Sequence, residues 1–357
     1  MTHYEERLER DLEHIKEKVG DLSERVEGML KDSSLALFTN NERLAYSVIL
    51  GDHPVNRASR ELDKICHRFF AVHLPSAGHL RFVSSVMRVN LELERIGDYA
   101  VTICRESVQI GHPPKGTIGS HLGRISEEAQ GILRRAIAAF KDGDTDQAGS
   151  DMDDARKATR GFDDVFRVLV KEEGNLRVEE LFYYLVVFNM FGRVFDQAKN
   201  ICEETIFSVT GQTKAPKTYR ILFLDEDNSI LGPMAQAVAR KNFPEWGDYT
   251  TAGRIASTAI SGEAIRFLEE LGIESITTSP RALDAAEDLS NYHAIVSLQG
   301  PVKSYVDKVP FQTLALEWQI GDLPRDSDEG NAQLEALYRS LALQIQDLML
   351  TMHGEEE

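Results

Sequence analysis

The sequence predicts a multidomain chain: an all-α region of tandem three-helix bundles followed by a small parallel α/β domain. Three observations carry this. Apolar residues recur at alternating spacings of four and three from the N-terminus onward, and a helical segment reappears 98 residues later. Beyond residue 210, short apolar runs alternate with helical patterns, as in a parallel sheet with crossover helices. A chain of 357 residues also exceeds the size at which single cores stop growing.

The first helix is marked by Leu8, Leu12, Ile15, Val19, Leu22, Val26 and Met29, one stripe with mostly charged residues between. That heptad-like stripe leaves a homodimer open. Further helices are predicted over about 55–72, 77–109, 118–142, 152–171 and 178–209. Turns are expected at Leu50-Gly51-Asp52-His53-Pro54 and His112-Pro113-Pro114. In the repeat, Leu93-Glu94-Arg95-Ile96-Gly97-Asp98-Tyr99-Ala100 aligns with Phe191-Gly192-Arg193-Val194-Phe195-Asp196-Gln197-Ala198. The tails Ile103-Cys104-Arg105-Glu106 and Ile201-Cys202-Glu203-Glu204 stay in register. Each copy reads as the last long helix of a three-helix unit, so a domain over 1–210 contains two repeats, about 1–110 and 118–210.

A linker is expected at 211–218, with the α/β domain over 219–357. Ile221-Leu222-Phe223-Leu224 reads as a buried strand, followed by a polar loop from Asp225 to Gly232 and a helix with Pro233 in its first turn. Further strands are expected at 294–298 and 313–316, and helices at about 264–271 and 332–352. A site in such a domain belongs at the carboxyl ends of the strands.

The formal net charge of −18 and the lack of a Lys/Arg-dense stretch exclude nucleic acid as an expected partner. No run of 18 apolar residues occurs and the N-terminus is charged, so neither membrane insertion nor a secretion signal is expected, and the location should be cytoplasmic. Cys66, Cys104 and Cys202 are widely spaced and read as packed thiols in a reducing compartment. The ten histidines are scattered and read as surface or capping residues.

Glu94 and Asp98 lie four apart on one helix face, where two carboxylates could hold a hard or borderline cation. The competing reading is an exposed acidic face paired with Arg95 or Arg88.

The run from Leu91 to Ala100, with Gly51-Asp52-His53-Pro54-Val55-Asn56 and His79-Leu80-Arg81-Phe82-Val83, resembles the PhoU family, in which a Glu-Arg-Ile-Gly-Asp signature closes each of two three-helix repeats. The resemblance covers about residues 5–210. It implies iron, zinc or similar metal ions on acidic helix faces, and restraint of phosphate uptake through the phosphate ABC transporter and its sensor histidine kinase. The metal ligands it implies are Glu94, Asp98 and Asp196, with Asp52 and Asn56 as weaker candidates. Asn56 stands where the family has an Asp, and the second copy departs further: Gly192 replaces the Glu and Phe195 the Gly.

The strand at 221–224 and the loop behind it, with Asn228, Ser229, Pro233, Met234 and Ala235 in register, resemble the phosphate loop of low-molecular-weight tyrosine phosphatases and arsenate reductases. That implies a four-stranded parallel sheet. The chemistry of such a loop needs a thiolate nucleophile and an Arg clamp. Here Asp225 and Leu231 occupy those positions, and no cysteine follows Cys202. Asp322 matches the general-acid position. The domain is therefore expected to be a pseudophosphatase without catalytic residues. Two readings of Asp225 stand open: a solvated loop residue, or an internal anion among the loop amides. The expected function is a phosphate-uptake regulator that acts by binding partners, with a sensing or interaction module at its C-terminus. The alternative is metal-dependent or residual phosphatase activity, with Glu226 and Asp227 as ligands.

Overall fold

The computed structural model describes residues 3–160, 169–170, 176–213, 218–273, 279–310, 313–321 and 330–354. The chain forms two compact units, 1–214 and 215–357.

The described part of the first unit is built on α1 (His3–Thr39), α2 (Glu42–Val72), α3 (Ala77–Ile110), α4 (Gly116–Asp142), α5 (Thr145–Arg160) and α6 (Val178–Thr210). The whole apolar stripe of α1 is buried in a core that continues through all six helices, so it is consumed within the chain rather than offered to a second copy. Each such Leu, Ile or Val contributes roughly 1.5–3 kcal/mol by leaving water. α3 and α6, the two copies of the repeat, pack along each other. Gln197 Nε2 donates to Tyr99 OH at 3.0 Å, and these two residues occupy equivalent places in the repeat. Arg88 meets Glu204 at 2.9 Å and His112 meets Glu180 at 3.4 Å. Rising numbers on α3 thus face falling numbers on α6, so the pair is antiparallel and the repeats are related across the Tyr99–Gln197 contact. Each copy ends on a left-handed glycine, Gly111 (φ 70°) and Gly211 (φ 78°), which stops the helix.

The turn expected at 50–54 is absent: α2 runs straight through Pro54. Proline there removes the hydrogen bond to the Leu50 carbonyl. Leu50 is 68% exposed, so water can satisfy that oxygen, while the next residue, Val55, is buried and faces Gly97 of α3. The reversal occurs earlier, where Asn40 takes φ 50° and the Asn41 side chain accepts from Leu44 N to start α2. α5 begins at Thr145, ahead of the expected 152. Most of its expected C-terminal end, 161–168 and 171, lies outside the described residues, as do 214–217 of the linker.

The second unit is a four-stranded, all-parallel sheet in the order β2-β1-β3-β4, with β1 (Tyr219–Asp225), β2 (Gly247–Gly253), β3 (Ala294–Ser297) and β4 (Leu314–Glu317). Alternate residues of the central strands point to opposite faces. Ile221, Phe223, Ala294 and Val296 pack against α7 (Leu231–Asn242), α8 (Gly262–Glu270) and α9 (Gly330–His353). Leu222, Leu224 and Ile295 pack against Val302 and Val306. The strand order reverses between β1 and β3, which places the loops that leave these strands at the position where open parallel sheets bind ligands. Among the described residues no helix is long and apolar enough to cross a membrane.

Candidate functional site

The first-repeat acids sit where α2 and α3 pass each other. Asn56 Nδ2 donates to Asp52 Oδ2 at 2.9 Å. Asp52 Oδ1 and Asn56 Oδ1 are buried atoms without a hydrogen-bond partner. Partial desolvation raises the Asp98 carboxyl above its usual range, and the charge of Asp52 and a hydrogen bond shared with it push the same way. Glu94 is raised by desolvation, then by Asp98 and Asp52. The arginines named as competing partners are engaged elsewhere: Arg95 with Glu92 at 3.2 Å and Arg88 with Glu204. Among the described residues, Glu94 and Asp98 enter no ion pair. The structure therefore brings Asp52, Asn56, Glu94 and Asp98 into one cluster without an ion-paired cation, on which Arg95 and Arg60 (at Glu94) and Arg105 (at Asp98) act only through space.

As a donor set for a metal, the cluster fits in kind. Its groups are hard oxygens, two of them orphaned, and desolvation together with neighbouring negative charge raises the carboxyls of Glu94 and Asp98. As positioned, no three His, Cys, Asp or Glu side chains among the described residues converge on one point, so an ion would have to draw the carboxylates together.

The second repeat is built differently. Asp151 of α5 has a fully buried side chain held by Arg135 of α4, with Nε to Oδ1 at 2.5 Å. Arg135 also reaches Asp154 at 3.4 Å. Gly192 replaces Glu94. Asp196 is exposed; desolvation raises its carboxyl, with Lys199 and Arg193 acting against the rise.

All three cysteines are fully buried and burial pushes their thiols up to about 12, so they are packing groups and poor nucleophiles. One histidine, His73, caps the C-terminus of α2, its amide donating to Phe69 O, and is also buried. Its Nε2 lies 2.9 Å from Asp11 Oδ2, a bond that holds the Asp11 carboxyl below its usual range. The two are 62 residues apart and form no local motif.

In the second unit, Asp225 ends β1 at 1% exposure, so it is not a solvated loop residue. Its Oδ1 accepts from Asn228 N at 2.7 Å and its Oδ2 from Gly232 N at 2.8 Å. Burial raises its carboxyl to about 6; the two amides act against the rise, while Asp227 and Glu226 add to it. Asn228 takes φ 57° and accepts from Thr251 Oγ1 at 2.6 Å. Asp227 Oδ1 accepts from both the amide and the hydroxyl of Ser229. Glu226 forms an ion pair with Arg254. Leu231 is buried in the core under α7. Asp322 lies outside the described residues.

What emerges is a helical tandem-repeat scaffold with one acidic cluster that has no ion-paired cation, followed by an α/β domain whose strand-end loop surrounds its own carboxylate. The PhoU domain profile matches residues 19–107. The chain is 30% identical over 215 residues to the phosphate-specific transport system accessory protein PhoU of Serratia marcescens, covering 59% of this chain and 87% of that protein. It is similar to the crystal structure of PhoU from Pseudomonas aeruginosa, at 27% identity and a TM-score of 0.55 over 57% of this chain and 99% of that one. It is also similar to the tyrosine phosphatase Wzb from Escherichia coli K30 in complex with sulphate, at 18% identity and a TM-score of 0.32 over 37% of this chain and 99% of that one. The chain belongs to the PhoU family.

Proposed function

We propose that this chain regulates phosphate uptake and phosphate-responsive signalling by binding components of a phosphate ABC transporter and a sensor histidine kinase, and that its C-terminal domain is a non-catalytic sensing or interaction module. The observation that carries the first part is the 30% identity over 215 residues to an accessory protein of a phosphate-specific transport system. The second part is supported by the loop, where a buried Asp225 and a core Leu231 stand at the nucleophile and Arg-clamp positions and every neighbouring carboxylate has a partner. The direct test is binding of the full chain to the purified phosphate transporter of the same genome in detergent. Saturable binding is expected, and its absence with both transporter and kinase would sink the reading. Metal-dependent or residual phosphatase activity, the alternative, requires the parent to hydrolyse an aryl phosphate with or without added divalent ions; none is expected.

Within this function, Asp52, Asn56, Glu94 and Asp98 would hold a divalent ion such as iron or zinc. A bound ion would supply the positive charge that the cluster lacks. The residues' own contribution is to present hard oxygens from two helices, so occupancy would tie α2 to α3.

A further inference from the structure

The loop 225–232 stands at the ligand position of its fold, between the ends of β1 and β3, and four of its amides already have acceptors. The amides of Asn228 and Gly232 donate to the two oxygens of Asp225. The amide of Ser229 donates to Asp227 and that of Glu226 to Gln299 Oε1. No cation faces Asp225 among the described residues: Arg254 is engaged by Glu226 and Arg281 by Glu287. The charge is met by N–H dipoles at the start of α7, which has no side-chain cap of its own, as a helix N-terminus meets a phosphate or sulfate, and burial still holds the carboxyl above its ordinary value. The surroundings leave no slack. A Cβ at Gly232 would stand 2.1 Å from Thr251 Oγ1, and one at Gly253 would stand 2.5 Å from Ile255 O and 2.8 Å from Asn228 N. Gly232 and Gly253 keep the loop closed around the carboxylate.

We propose that Asp225 is a tethered anion that fills loop 225–232 and shuts free tetrahedral oxyanions, inorganic phosphate among them, out of it. This rests on the reading of the C-terminal domain as non-catalytic and deepens it, because the group that replaced the nucleophile also occupies the space a phosphoryl group would need. The module then offers its partners a loop of fixed shape that does not respond to free phosphate.

The test uses the full chain and its two tryptophans, Trp246 and Trp318, which both lie in the C-terminal unit. Thermal unfolding followed by tryptophan fluorescence is measured against inorganic phosphate at constant ionic strength. The parent midpoint should not move with phosphate. Asp225→Ala should unfold earlier and regain stability saturably as phosphate is added, with an affinity at least tenfold above the parent's. A folded Asp225→Ala chain indifferent to phosphate, or a parent stabilised as strongly as the variant, would overturn the proposal. If that variant does not fold, hydrogen exchange in the parent decides: the Asn228 and Gly232 amides should be strongly protected, and exchange at open-loop rates would refute the tether. Aryl phosphate turnover by the parent counts against the non-catalytic reading, whereas phosphate binding by Asp225→Ala reports on the tether alone.

Discussion

The two helical repeats treat their acids in opposite ways. In the first, Glu94 and Asp98 gather beside Asp52 without an ion-paired cation, and desolvation, reinforced by the neighbouring negative charges, raises the carboxyls of Glu94 and Asp98. In the second, Asp151 takes the guanidinium of Arg135, the Glu position has become Gly192, and Asp196 is left exposed. Duplication thus kept the scaffold in both halves and open chemistry in only one. The C-terminal domain adds a third arrangement, in which Asp225 is compensated by backbone amides alone.

These three kinds of compensation predict different responses to removal of charge. The largest is at Asp225. Its carboxyl stands at about 6 in the folded chain against an ordinary 3.8, so the folded state holds the proton more tightly than the unfolded one. The stability this group contributes is complete below about pH 4 and lost as pH rises through about 6, by at most about 3 kcal/mol. The tryptophan-monitored midpoint should therefore climb from pH 7 toward 5 in the parent, and that part of the slope should vanish in Asp225→Asn.

Arg135→Ala comes next. It strands a fully buried Asp151 side chain, but solvent screening around the part-exposed guanidinium limits the cost to about 2 kcal/mol. Denaturant unfolding by far-ultraviolet circular dichroism should show it; an unchanged midpoint would mean that Asp151 finds other solvation. The smallest effect has the opposite sign. Glu94→Gln removes repulsion from a solvent-accessible cluster and should stabilise the chain, measured in chelator, by a few tenths of a kcal/mol. A loss of stability there would show that the cluster has a compensating cation of its own.

Much of this was legible in the sequence, and the limits have physical causes. The α1 stripe and the 98-residue repeat reflect burial at helical period, and β1 showed as an apolar run because both its faces are covered. β2 carries no such signal, since Gly247-Asp248-Tyr249-Thr250-Thr251 lacks an apolar run. Gly51 and Pro54 looked like a turn because local propensity disfavours helix there, and packing of Val55 on α3 overrides it. Glu94 and Asp98 were legible as a motif. The Arg135–Asp151 and Asp11–His73 pairs were not, because each joins residues from different helices. At Asp225 the replaced nucleophile was evident, but the choice between a solvated and an enclosed carboxylate depended on backbone amides that no side-chain pattern encodes.

The most direct test of the contrast between the repeats is elemental analysis of the purified chain beside Glu94→Ala/Asp98→Ala and Asp196→Ala. The account predicts divalent metal in the parent, its loss in the double variant and its retention in Asp196→Ala. A parent free of metal, or a load that depends on Asp196 as much as on Glu94 and Asp98, would contradict it.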